Sequence, residues 1–281
     1  MNDSAAHRIT VGTGAAAREI AVLREDGTPG RCGVLWLSGF KSDMAGTKAE
    51  ELAAWARSTG RAVTRLDYSG HGLSGGDFED GTISAWAEEA LAVHRAFCKE
   101  PTIVVGSSMG GWIALLLARA LKRASRPDDA PLAGMVLIAP APDFTEELMW
   151  KHEFTDEIRA RIMTEGRYER PSEYDDSPYV ITRKLIEDGR DNLLLGGAIE
   201  TGCPVTILQG QRDDAVPWQH ALRLMECLAL DDVVLTLVKD GDHRLSRPED
   251  IARLIAAVER RAGEAEAETG AEAGAAAPAD G

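Results

Sequence analysis

The stretch TIVVGSSMGGWIALLLARAL, residues 102–121, decides the fold. Thr102–Val105 is a short, β-branched apolar run, the composition of a strand buried on both faces. Gly110–Ala124 is long, apolar and free of breakers beyond its first turn, so it reads as a buried helix. Between them, Gly106-Ser107-Ser108-Met109-Gly110 fits G-x-S-x-G. The five-residue pattern is weak by composition, and its setting makes it specific. A strand that turns at once into a helix crowds the backbone around the central serine, so glycines are required where a side chain would collide. Such a turn lifts Ser108 Oγ above the end of a sheet, with the positive end of a helix beneath it.

Outward from this elbow, strand-length apolar runs alternate with helical periods, as in an α/β protein with a mostly parallel sheet. Arg8–Val11 and Glu19–Arg24 are expected to form an antiparallel pair, and Gly33–Leu37 a strand buried on both faces. Lys48–Ser58 follows as a helix and Ala62–Asp67 as a strand. Thr82–Cys98 is a helix with Ile83, Trp86, Ala90, Val93 and Phe97 on one face. Met135–Ala139, Val205–Gln209 and Val233–Val238 continue the sheet, with helices over Trp218–Leu228 and Pro248–Arg261. The rhythm breaks over residues 141–202, too long for one crossover. That charged, aromatic stretch, with Trp150, Phe154, Tyr168, Tyr174 and Tyr179, is expected to be an inserted helical cap. Residues 1–262 make one domain. Residues 263–281, rich in Ala, Glu and Gly, are expected to be a disordered acidic tail, with a frayed extension of the closing helix as the alternative.

A serine hydroxyl needs a base, and the base a carboxylate that fixes its tautomer. In a strand-elbow-helix fold of this kind the chain order is Ser, then Asp or Glu, then His. His243 lies in the polar loop after the last strand, where a base can reach the nucleophile. His220 falls inside a helix and His71 before the nucleophile, so both read as structural. The strand ending at Gln209 runs into Gly210-Gln211-Arg212-Asp213-Asp214-Ala215-Val216-Pro217. The G-x-x-D-x-x-V-P spacing favours Asp213 as the acid, with Asp214 the alternative. A second match, Gly72-Leu73-Ser74-Gly75-Gly76, has no strand directly before it and a loop after it, so Ser74 reads as a turn serine. The amides of Met109 and Phe40 are candidates for holding an oxyanion, and the Phe40 and Trp112 side chains for contacting substrate.

The motifs Leu37–Met44, DYSGHGLSGG, GSSMGGW, QGQRDDAVPW and DGDHR, with EGRYERPSEY in the cap, resemble a family of α/β-hydrolases. It includes a mitochondrial enzyme acting as acyl-protein thioesterase and acyl-glucuronide esterase, and bacterial relatives. The resemblance implies the α/β-hydrolase fold, a Ser108–Asp213–His243 triad and hydrolysis of a small-molecule ester or thioester, without metal or cofactor. The start of the chain does not read as a mitochondrial presequence, and the resemblance does not explain the tail. A small-peptide peptidase and a non-catalytic ligand-binding homologue are the alternatives. Dehalogenase and epoxide hydrolase chemistry is disfavoured, because those reactions use an aspartate where Ser108 stands.

Composition agrees. With 281 residues, 44% hydrophobic and 27% charged, the chain can bury a large core. Its net charge of −15 argues against a nucleic-acid partner. No apolar run is long enough to span a bilayer. Cys32, Cys98, Cys203 and Cys227 lack the spacing of a zinc or redox motif, and with no secretory signal they fit a cytoplasmic setting.

Overall fold

The computed structural model describes residues 6–170, 179–228 and 230–275. Strands β1 (His7–Val11), β2 (Arg18–Glu25), β3 (Gly33–Leu37), β4 (Val63–Leu66), β5 (Thr102–Ser107), β6 (Leu132–Ile138), β9 (Val205–Gly210) and β10 (Val233–Val238) form one sheet. Its order is β1-β2-β4-β3-β5-β6-β9-β10. β1–β2 and β2–β4 pair antiparallel and the remaining pairs are parallel, so the expected antiparallel start and parallel body are both present.

The alternation of side chains along each parallel strand explains the layers. Leu35 and Leu37 of β3, Val104 of β5 and Ile207 of β9 face α2 (Ile83–Phe97), α3 (Met109–Arg123) and α6 (Trp218–Cys227). Val34 and Trp36, Ile103 and Val105, and Leu208 face the opposite way, onto α1 (Thr47–Ser58) and α7 (Pro248–Ala275). These side chains are almost wholly removed from solvent, each worth roughly 1.5–3 kcal/mol relative to exposure. The chain winds from β3 outward to β4, then returns to place β5 on the other side of β3. Strand order therefore reverses between β3 and β5, and an open α/β sheet presents its crevice at the carboxyl ends of such a pair.

The insertion between β6 and β9 is not all helix. It holds a π-helical segment (Thr145–Glu153), α4 (Asp156–Glu165), a hairpin of β7 (Arg167–Arg170) and β8 (Tyr179–Thr182), and α5 (Arg183–Asp191). The hairpin strands have only four residues each and alternate between exposed and half-buried in β7, too short and too polar for a strand pattern to stand out. Tyr174, in the expected cap, lies outside the described residues. Both stems of the insertion meet at Asp143, a buried carboxylate accepting from the Leu194 and Leu195 amides at 2.8 Å.

The expected disorder from residue 263 does not hold as far as Ala275, because α7 runs on to that residue. Ala and Glu are strong helix formers, and the extension has tertiary partners. Ala262 is buried, Ala265 packs on the core, and Glu266 pairs with buried Arg61 while accepting from the Cys32 amide at 2.8 Å. The rest of the proposed tail, residues 276–281, lies outside the described residues. Cys32, Cys98 and Cys203 are buried free thiols and Cys227 is a half-buried one.

Candidate active site

β5 ends and α3 begins within a single residue, and three glycines make the turn possible. A Cβ on Gly106 would stand 2.4 Å from the Gly110 carbonyl oxygen, and one on Gly110 would stand 2.0 Å from that of Leu37. At Gly111 it would meet Pro140 at 2.9 Å. Ser108 itself carries a positive φ of 53° with ψ −116°, a region L-residues enter only under constraint. Its amide donates to the Ile138 carbonyl at 2.8 Å, which ties the turn to the end of β6.

His243 stands in the loop after β10. Its Nε2 lies 3.1 Å from Ser108 Oγ, and its Nδ1 lies 2.8 Å from Asp213 Oδ2. Asp213 therefore holds the position the spacing favoured. Asp214 is exposed. The Asp213 side chain has no exposed surface and is surrounded by donors. Its Oδ1 accepts from the Ala215 and Val216 amides at 2.9 and 2.7 Å, and its Oδ2 accepts from Gln209 Nε2 at 3.0 Å as well as from His243. With every partner a donor, the carboxylate suits only a protonated Nδ1, which leaves the Nε2 lone pair facing the serine.

The two loops carrying Asp213 and His243 touch backbone to backbone. The Arg212 amide donates to the Gly241 carbonyl at 2.9 Å, and a Cβ on Gly210 would lie 2.4 Å from that same oxygen. From the other side, Lys48 of α1 donates its ammonium to the Arg244 carbonyl, and burial pushes the Lys48 amine down to about 8. Gln209 and Lys48 both escaped the sequence reading. Gln209 ends a strand and resembles ordinary packing, while Lys48 lies 196 residues from its partner.

The loop after β3 runs beside the elbow, with Gly39 against Ser107 and Ser108. Among the described residues neither the Phe40 amide nor the Met109 amide has a protein acceptor, as expected of groups free to receive an oxyanion. The half-buried Phe40 ring packs against Phe78, Phe144 and Tyr179 at centroid distances of 5.0, 5.6 and 6.3 Å, so the cap meets the elbow through an aromatic layer. Trp112 does not fit the role expected of it. It is fully buried, packs edge-on against Phe144, and donates Nε1 to the Asn192 carbonyl at 3.2 Å, leaving no surface for a substrate. A tryptophan one turn into a helix that is buried all round faces the core, and the sequence pattern could not separate that face from a pocket.

Three side chains set aside in the sequence lie outside the hydrogen-bonded set of Ser108, Asp213 and His243. Ser74 Oγ donates to the Asp67 carbonyl at 2.6 Å and accepts from the Ala21 amide at 2.8 Å. The His220 ring nitrogen Nε2 lies 2.8 Å from the Pro142 carbonyl. His71 is buried and bonded to the loop after β3. Among the described residues no group of His, Cys, Asp and Glu could hold a metal ion, and no helix is long and apolar enough to cross a membrane.

This sheet order, with a serine on a strained strand-to-helix turn and an acid and a histidine on later strand ends, is that of the alpha/beta hydrolases. Residues 33–254 match the alpha/beta hydrolase family, and the chain belongs to it and is a hydrolase. Over 228 residues it is 33% identical to the mitochondrial palmitoyl-protein thioesterase ABHD10 of Mus musculus, covering 81% of this chain and 74% of that protein. Among solved structures, a protein of Agrobacterium vitis S4 described as a hydrolase superposes with a TM-score of 0.88 at 53% identity, covering 92% of this chain and 98% of that one. The mouse alpha/beta hydrolase domain-containing protein 10 superposes with a TM-score of 0.77 at 30% identity, covering 90% and 97%. The resemblance stated from the motifs is borne out.

Proposed function

We propose that this hydrolase cleaves carboxylic ester and thioester bonds of small acylated molecules through an acyl-enzyme on Ser108. The observation that carries the reading is His243, which bridges Ser108 and Asp213 from a third strand end. Ser108 Oγ attacks the acyl carbonyl carbon while its proton passes to His243 Nε2, and Asp213 stabilises the imidazolium through Nδ1. The carbonyl oxygen, now negative, is held by the amides of Phe40 and Met109 above the N-terminus of α3. Collapse of the tetrahedral adduct expels an alkoxide or thiolate, which takes the proton from Nε2. Water then gives a proton to His243 and attacks the acyl carbon, releasing the carboxylic acid and restoring Ser108. The identity to a palmitoyl-protein thioesterase supports acyl substrates. No step calls for a metal or organic cofactor. The net charge of −15 supports a partner other than nucleic acid, and the four free thiols support a reducing, cytoplasmic setting.

The test is hydrolysis of matched p-nitrophenyl esters and acyl thioesters of increasing chain length, with a p-nitroanilide alongside. Ester or thioester turnover well above anilide turnover supports the proposal. Preference for the anilide would establish a peptidase, and no turnover with any substrate a ligand-binding protein.

A further inference from the structure

His71 lies outside the hydrogen-bonded set of Ser108, Asp213 and His243, yet it touches the loop on which the proposed oxyanion site depends. Its Nε2 accepts the Lys41 amide at 3.1 Å, and its Nδ1 lies 3.1 Å from the Ser69 carbonyl. A backbone amide can only donate, so Nε2 carries the lone pair and the proton sits on Nδ1, directed at Ser69. The ring is 5% exposed and wedged edge-on against Phe78 and Trp86 at centroid distances of 5.2 and 5.3 Å. Burial pushes its pKa down to about 4, with the charge of Lys41 acting in the same direction. The neutral acceptor form therefore persists across the physiological range.

The residue that His71 holds is strained. Lys41 has a φ of 55°, a left-handed conformation that costs a non-glycine residue and persists only where neighbours enforce it. The Lys41 amide belongs to the peptide that follows Phe40. Fixing that peptide restrains φ and ψ of Phe40, through which the Phe40 amide, in the preceding peptide, is aimed. On the other side of Phe40, the Gly39 carbonyl, which shares a peptide with the Phe40 amide, accepts the Ser42 amide at 3.1 Å, and further ties lie along the loop. Ser38 Oγ donates to the Asp43 carbonyl at 3.1 Å, and Asp67 Oδ1 accepts the Met44 amide at 2.7 Å.

His71 is anchored in turn. The Ser69 carbonyl that accepts its proton also accepts Trp86 Nε1 at 3.2 Å, and the Ser69 amide donates to Glu89 Oε2 at 2.9 Å. Glu89 is fully buried and its Oε1 accepts from Arg18 Nε at 2.6 Å. A continuous set of bonds therefore runs from α2 through the Ser69 peptide and the His71 ring to the strained peptide beside Phe40.

We propose that His71 is a positioning residue for transition-state stabilisation, holding the Phe40–Lys41 peptide so that the Phe40 amide points at the oxyanion. The inference rests on the serine-hydrolase reading above. A misaimed donor weakens binding of the tetrahedral state and leaves the planar ester nearly untouched, so the loss falls on kcat more than on KM.

The experiment compares His71→Phe, which keeps a planar ring without an acceptor, with His71→Gln, whose amide can both accept from Lys41 and donate to Ser69. Sites are counted with a fluorophosphonate, so that misfolded protein drops out of the rate. For His71→Phe we expect kcat per titrated site on a p-nitrophenyl ester to fall about 10- to 100-fold with KM changed less than about threefold. Inhibition by a trifluoromethyl ketone, which forms the oxyanion, should weaken by the same factor as kcat/KM. His71→Gln should recover most of the loss. A kcat for His71→Phe within threefold of wild type, or a His71→Gln no better than His71→Phe, overturns the proposal. Should His71→Phe fail to fold, long-range 1H–15N spectra of the wild-type ring decide: the Nδ1–H tautomer is expected, and an Nε2–H tautomer refutes it. A wild-type protein that neither labels nor turns over would defeat the hydrolase reading instead, which separates the two failures.

Discussion

Replacing Asp213 with Asn changes one oxygen for an NH2 group in a pocket where every neighbour donates. If that NH2 takes the Oδ1 position, it meets the Ala215 and Val216 amides that now donate at 2.9 and 2.7 Å. If it takes the Oδ2 position, it faces Gln209 Nε2 and offers His243 Nδ1 a donor in place of an acceptor. The second arrangement breaks fewer bonds, since Gln209 keeps the Gly210 and Val216 carbonyls as acceptors. It also forces the imidazole into the Nε2–H tautomer, which presents a proton to Ser108 and cannot remove one. A fixed wrong tautomer in a triad costs about 10⁴ in kcat, or about 5 kcal/mol of transition-state stabilisation. The assay is kcat and KM for a p-nitrophenyl ester, normalised to folded protein by circular dichroism. Asp214→Asn serves as the control on an exposed carboxylate and should stay within about twofold of wild type. An Asp213→Asn variant keeping more than about a tenth of wild-type kcat would refute the reasoning, since the carboxylate would then not be setting the tautomer.

Two further predictions concern stability. Glu266→Ala leaves the buried Arg61 guanidinium over the Trp55 ring with, among the described residues, the Cys32 carbonyl at 3.3 Å as its hydrogen-bond acceptor in place of a carboxylate; the expected cost is about 2 kcal/mol, read as a Tm lower by roughly 4–8 °C with kcat unchanged, and a Tm shift below 1 °C would mean that this end of α7 contributes nothing. His94 is fully buried with neither ring nitrogen hydrogen-bonded among the described residues, and burial pushes its pKa down to about 4 from an ordinary 6.5. The unfolded chain therefore binds the proton first, so the folded state is at its full stability above about pH 6.5 and loses up to about 3 kcal/mol through this group as the pH falls to about 4. His94→Leu should show a flatter decline of urea-unfolding free energy over that range, and parallel curves for the two proteins would exclude the effect.

The proposed nucleophile, base and acid were legible because each sits where local chemistry leaves few choices. A strand that turns into a helix within one residue demands small neighbours around Ser108, and Gly106 and Gly110 supply them with no room for even a Cβ. His243 and Asp213 follow strands whose apolar runs are short and sharply ended. The ties that hold these groups were not legible: Gln209, four residues from Asp213, looks like packing at a strand's end, and Lys48 reaches the His243 loop across 196 residues. Away from the site, Glu266 reaches Arg61 across 205. Composition misled at the tail for the same reason: an Ala- and Glu-rich segment looks solvated until the buried arginine it meets is known. Trp112 shows the opposite error, since a helix apolar on every face gives no sign of which residue looks outward.

The most direct test of the central claim is to label the protein with a fluorophosphonate and locate the adduct by peptide mass spectrometry. The account predicts one adduct, on Ser108, lost together with esterase turnover in Ser108→Ala and retained with it in Ser74→Ala. Turnover that survives in Ser108→Ala, or an adduct on another residue, would contradict it.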